Sequence, residues 1–266
     1  MQAMSERPGL RVYWQPGCTS CLQAKEFLAR HGVAFESVNV RADPGAEAEL
    51  AALGVRTVPV IARGRDYVLG QDLDELARFV GVGLERVRLS PDELVGRLHV
   101  LLALTQSLLG AIPPARLGTR LPQRERTWLD LGFHVFMVVQ GLLQAAQGGE
   151  LGYEVYERRA PASWLDASAA IELGRATQRG LELWWREAGV GPRGEVHTYF
   201  GEQPVDAVLE RTAWHVAQHV RQLEYLVHEV AGVAGAPRIP AHALDGLPLP
   251  VAVWDRELVP QGAPGP

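Results

Sequence analysis

The sequence predicts an α/β domain followed by an all-α domain. Three observations carry that prediction. Short apolar runs alternate with helical patterns up to about residue 82. No convincing strand signal follows. Four long amphipathic segments, separated by loops bearing Pro and Gly, then run to about residue 230, the pattern of a four-helix bundle.

Taken in order, residues 10–14, 35–39, 58–62 and 67–69 read as strands. Helical patterns lie over 19–31, 45–53 and 72–80. In the first helix Leu22, Phe27 and Leu28 fall on one side and Lys25, Glu26 and Arg30 on the other. The alternation breaks at Gly81-Val82-Gly83. Ser90 then stands where an N-cap belongs, Pro91 at the first helical position and Glu93 at the third. The four long helices are expected over 91–109, 127–146, 166–188 and 204–230. The segment from 235 is rich in Pro and Ala and is expected to lie extended over the surface. The expected organisation is therefore 1–83, 84–234 and a tail, 235–266.

The 266 residues suffice for two domains, and 47 % hydrophobic with 21 % charged residues is a globular composition. The net charge is -5 with no dense Lys/Arg block. That argues against nucleic acid as a partner, since such binding is mostly phosphate neutralisation. No apolar stretch is expected to cross a membrane; the best, 133–143, is short and holds His134 and Gln140. Met1 to Arg7 lacks the apolar core of a signal peptide, so a cytoplasmic location is expected. A reducing cytosol suits a catalytic dithiol better than a structural disulfide.

Cys18 and Cys21 are the only cysteines, and they follow a strand and the turn Gln15-Pro16-Gly17 and open a helix. That is the context of a redox dithiol. The unpaired N–H groups and the dipole at a helix start favour thiolate at Cys18, and thiolate is the nucleophile. Cys21, one turn on, is placed to resolve a mixed disulfide. With no second Cys pair, a closed structural zinc site is disfavoured, and the alternatives to redox chemistry are a structural, inert dithiol or a cluster shared between two protomers. Thr57-Val58-Pro59 precedes an apolar strand, where a proline facing the dithiol would expose backbone groups to a thiol peptide.

This first third resembles the glutaredoxin family, of thioredoxin-like fold. The resemblance rests on Tyr13, on Pro16 to Cys21, on Arg56-Thr57-Val58-Pro59-Val60 and on Gly70-Gln71-Asp72-Leu73. It implies thiol-disulfide oxidoreductase activity, with Tyr13, Val58, Pro59 and Asp72 contacting the thiol substrate and glutathione as the partner thiol. Gln15 stands where many glutathione-using members carry Lys, and the motif centre is Thr-Ser rather than Pro-Tyr. Another low-molecular-weight thiol or a thiol reductase therefore remains an alternative partner.

The second constellation is made of histidines. His215 and His219 stand at i and i+4, which puts both imidazoles on one helix face, a spacing that offers two ligands to one metal. His134 sits in an apolar stripe of the second long helix, where a buried imidazole needs a partner. Three neutral imidazoles with an open position make a catalytic-type site able to lower the pKa of bound water or accept a thiolate. The bland alternative is helix-surface or packing histidines. His99 reads as packing, His228 as lying near the opposite face from His215, and His197 as a loop residue before the last helix. Trp184, Trp185 and Trp214 read as core or pocket wall, and Arg158-Arg159 as a solvated loop.

Residues 90 to 230 resemble the DinB family of helical bundles, which carries one His on the second helix and His-x-x-x-His on the fourth. The resemblance implies that His134, His215 and His219 hold a divalent metal, zinc or nickel foremost, and that the bundle is a metal-dependent transferase using low-molecular-weight thiols. Together the two domains suggest a dithiol oxidoreductase coupled to a thiol S-transferase. The alternative is a redox sensor with a structural metal and no turnover. Apolar bundle faces are compatible with a homodimer.

Overall fold

The computed structural model describes residues 9–121, 124–188 and 194–255. They form two compact units, 9–86 with 250–255, and 87–249.

In the first unit β1 (Arg11–Trp14), α1 (Thr19–Arg30) and β2 (Glu36–Asn39) form a crossover, so β1 and β2 pair in parallel. After α2 (Ala46–Ala52), β3 (Val60–Arg63) and β4 (Asp66–Leu69) form a hairpin, with β3 antiparallel to β1. The strand order is β2-β1-β3-β4, and α3 (Leu73–Val80) closes the unit. This mixed sheet is consistent with the thioredoxin fold. The period of two sends Val12, Ile61 and Val68 into one core with Phe27, Leu28 and Leu76. Tyr13, Val60 and Ala62 enter the other core, with Cys21, Leu50 and Val58. Residues 250–255 belong to this unit. The N–H groups of Val251 and Ala252 donate to Glu26, and Asp255 pairs with Lys25 at 2.6 Å.

The second unit is built on four long helices, α4 (Pro91–Ala111), α6 (Trp128–Ala146), α8 (Ser168–Ala188) and α9 (Val205–Tyr225). Each of α4 and α6 packs on both α8 and α9. Short elements connect them: α5 (Pro114–Leu117), β5 (Glu150–Leu151), α7 (Glu154–Glu157), β6 (Glu195–Thr198) and β7 (Gly201–Pro204). The Ser90 hydroxyl accepts from Glu93 N while Glu93 accepts from Ser90 N, so α4 opens on a capping box. Thr127 and Asp130 do the same for α6.

Two expectations need correction. Strands do occur after residue 83: β5, β6 and β7 form a small sheet. They are two to four residues long, and β7 has no apolar residue apart from its final Pro204, so alternation had nothing to register on. Also, α4 and α6 are long and apolar enough to cross a membrane by length and composition, with a mean hydropathy of 1.4 over 18 residues. A buried core helix has the same length and composition, and 78 % of that stretch of α6 is buried inside the unit.

Candidate functional site

Cys18 is the N-cap of α1, and its Sγ accepts from Cys21 N at 3.2 Å. The two cysteines are joined as a disulfide, with Cα atoms 5.2 Å apart. The Val58–Pro59 peptide is cis, and Cys18 Sγ lies 4.0 Å from Val58 O. Gln71 Nε2 donates to the same carbonyl at 3.2 Å. Cys18, Cys21, Val58 and Pro59 are thus brought to one place. Tyr13 packs in the same core as Cys21 and Val58. Its hydroxyl, however, donates to Glu49 and accepts from Arg11, so its polar end is turned toward α2. Asp72 caps α3, its Oδ1 accepting from Asp74 N and Glu75 N.

In the second unit, α6 supplies His134 and α9 supplies His215 and His219. One nitrogen from each ring lies within 4.8 Å of the others. All three are buried, at 3 %, 7 % and 1 % exposure. His215 Nε2 and His219 Nε2 are 3.0 Å apart. His219 Nδ1 donates to Gln222 Oε1 at 2.8 Å, which leaves Nε2 with its lone pair toward the cluster. Nδ1 of His134 and of His215 has no hydrogen-bond partner among the described residues. Burial is the main force on their protonation. It pushes His134 and His215 well below the ordinary value and His219 down to about 3. Arg124 and Arg126 push each imidazole the same way. The cluster is therefore neutral at physiological pH, the state in which imidazole ligates metal. Three converging neutral imidazoles with orphaned buried nitrogens fit a divalent cation: an ion accepting their lone pairs offsets the desolvation that unpaired polar atoms cost.

The surroundings hold residues that spacing alone did not single out. Tyr156, at α7, stacks on the His215 ring at 5.5 Å and 14°. Trp214, the residue before it in sequence, also stacks on His215, at 5.8 Å and 23°. Arg211 donates to the hydroxyls of Tyr156 (2.9 Å) and Tyr199 (2.8 Å). Arg126 donates to the Tyr156 carbonyl. A readable signal existed for Arg211, as it did for Gln222. Arg211, His215, His219 and Gln222 stand at successive steps of four, four and three, one stripe of α9. His197 lies on β6, exposed and paired with Glu202, and is not one of the three clustered histidines. His228 is an exposed residue whose Nε2 is 3.2 Å from Pro237 O. Trp184 is buried, and Trp185 donates to Asp92.

The glutaredoxin family profile matches residues 10–68. Over 73 residues the chain is 38 % identical to a glutaredoxin of Pseudomonas aeruginosa, covering 27 % of this chain and 87 % of that protein. It is 30 % identical over 67 residues to the glutaredoxin-like protein NrdH of Lactococcus lactis, covering 25 % of this chain and 93 % of that protein. A glutathione S-transferase structure from Xanthobacter autotrophicus Py2 aligns with 87 % of this chain and 95 % of its own. The identity is 17 % and the TM-score 0.30, too low to mark a shared fold.

Proposed function

The chain belongs to the glutaredoxin family through its first domain, and from that premise we propose a protein with two sites for thiol chemistry. The first domain is a glutaredoxin-like thiol oxidoreductase domain. The second is a DinB-like bundle that binds a divalent metal, zinc or nickel, and transfers a low-molecular-weight thiol to an electrophile. The observation that carries the second half is the convergence of three buried, neutral imidazoles within 4.8 Å.

At the dithiol, Cys18 thiolate attacks one sulfur of a substrate disulfide, and the other sulfur leaves as thiolate. Cys21 thiolate then attacks Cys18 Sγ, releases the second substrate thiolate and leaves the Cys18–Cys21 disulfide. Glutathione, another low-molecular-weight thiol or a thiol reductase returns two electrons. The Cys21 N–H and the α1 N-terminus favour negative charge on Cys18 Sγ. The carbonyl of Val58, held by Gln71, is placed to receive an N–H of the thiol substrate as an added strand does.

At the bundle, His134, His215 and His219 would hold the ion, which when bound supplies Lewis acidity toward a thiol or an electrophile. Gln222 fixes the tautomer of His219, and Tyr156 and Trp214 hold the plane of His215 and keep water from it. Three protein ligands leave a position open, which favours turnover over a structural metal. Carrying both sites on one chain raises the concentration of each near the other. A cytoplasmic, reducing environment suits both halves.

Variants at each site separate the halves. Cys18→Ser should abolish turnover of a generic mixed disulfide, and His215→Ala should leave that turnover intact while abolishing metal-dependent thiol transfer. Undiminished thiol transfer by His215→Ala would remove the bundle half of the reading. Wild-type protein with no disulfide turnover would favour a redox sensor.

A further inference from the structure

Lys25 is the only lysine among the 26 Lys and Arg residues of the chain. It stands on the polar side of α1, and lysine is almost never buried without a partner. Yet it is only 7 % exposed. Two groups close around it. Its Nζ lies 3.7 Å from the centroid of the Trp14 ring. Asp255, itself 9 % exposed, pairs with it at 2.6 Å. A buried ammonium needs such a counter-charge, and the ring face adds to its hold. Asp255 lies far along the chain, past the bundle. The 250–255 segment is fastened to α1 at a second point, where the Glu26 carboxylate accepts from the N–H groups of Val251 and Ala252. Both fastenings use successive residues of α1, within the first unit.

This latch sits behind the dithiol. Lys25 follows Cys21 by four residues on α1, so the two side chains share one helix face. That spacing leaves about 5–6 Å between their Cβ atoms. Trp14 packs in the same core as Cys21, and the turn leading to Cys18 begins at the residue after it. Cys21 is fully buried, so charge near it is poorly screened. An ammonium there favours negative charge on the reduced pair, and a carboxylate beside the ammonium opposes that. The Cys18–Cys21 disulfide is uncharged and gains from neither.

We propose that Lys25 and Asp255 are positioning residues for the dithiol: docking of the 250–255 segment on α1 brings the carboxylate that offsets Lys25, and so sets how readily the Cys18–Cys21 disulfide is reduced. The proposal rests on the thiol oxidoreductase reading of the first domain. The step concerned carries two electrons. A dithiol reductant passes two electrons and two protons to the disulfide, the Cys18–Cys21 bond breaks, and the reductant closes to its own disulfide. Thiolate formed in the reduced pair gains more from Lys25 when the segment is away. By reciprocity, the reduced protein holds the segment less firmly than the oxidised one.

The test equilibrates full-length protein with mixtures of reduced and oxidised dithiothreitol at one fixed pH, and reads the dithiol fraction by alkylation and mass spectrometry. Asp255→Asn should shift the equilibrium about threefold or more toward the dithiol, and Lys25→Met by a similar factor toward the disulfide. Lys25→Met/Asp255→Asn should fall between the two. Shifts of one sign in both single variants, as lost packing alone would give, or no shift, would overturn the proposal. A second measurement needs no variant and serves if the single variants do not fold. Amide hydrogen exchange over residues 251–255 is compared in oxidised and reduced wild type. Exchange about threefold or more faster in the reduced protein is expected; equal or slower exchange would overturn the proposal. Turnover of a mixed disulfide is assayed on the same samples. Opposite shifts without turnover would support the latch and count against the oxidoreductase reading alone, and turnover without shifts would count against the latch alone.

Discussion

Gln222 shows how one uncharged side chain sets the chemistry of a cluster. By accepting from His219 Nδ1 it leaves the Nε2 lone pair aimed at His215 and His134. Gln222→Ala should weaken zinc binding by about ten- to hundredfold without unfolding the bundle, as loss of an outer hydrogen bond to a ligand generally does. An unchanged zinc Kd, read by competition with a chromophoric chelator, would show that packing alone orients the ring. The protonation of His219 gives a second outcome. Burial lowers it most, the Gln222 hydrogen bond opposes, and Arg124 and Arg126 add to the lowering, leaving it at about 3. An unfolded chain takes up this proton below about 6.5, and the folded chain does so only near 3. The metal-free protein should therefore hold this stability in full above pH 6.5 and lose it progressively as pH falls toward 3. Urea midpoints of chelator-treated protein at pH 7.5 and 5 check this; His219→Asn should flatten the slope, and an equal slope in both would contradict it. The histidines and cysteines were legible because their chemistry depends on spacing along one helix. Arg126 and Tyr156 were not, because a loop residue and a four-residue helix reach the cluster only through the tertiary fold.

Among the elements, the contact of α8 with α6 positions His134. A Cβ at Gly174 would lie 2.5 Å from Phe136 Cζ, an aromatic ring atom two residues along from His134. Gly174→Ala should therefore cost about 1–3 kcal/mol by overpacking, more than the helix propensity gained. It should also loosen metal retention by shifting α6. A melting temperature equal to or above that of wild type would show that α6 and α8 part without cost. The long helices were legible to within a few residues because their periodicity extends over many turns and their starts carry capping boxes, Ser90 with Glu93 and Thr127 with Asp130. The β5-β6-β7 sheet was not, because two- to four-residue strands leave too few positions for alternation to differ from chance.

Across the whole molecule, the first unit reads clearly from sequence because a crossover, a hairpin and a Cys-x-x-Cys turn are each local patterns. The candidate site of the second unit draws on residues from 124 to 222, and within that span only His134, His215 and His219 announce themselves in the sequence. The proposed thiol chemistry of the second unit requires a metal in the bundle. Elemental analysis of purified wild type beside His215→Ala/His219→Ala tests it directly. About one divalent metal per chain in wild type and none in the variant is the predicted result. A wild type that takes up neither zinc nor nickel after incubation with each would contradict the account and leave the function with Cys18 and Cys21.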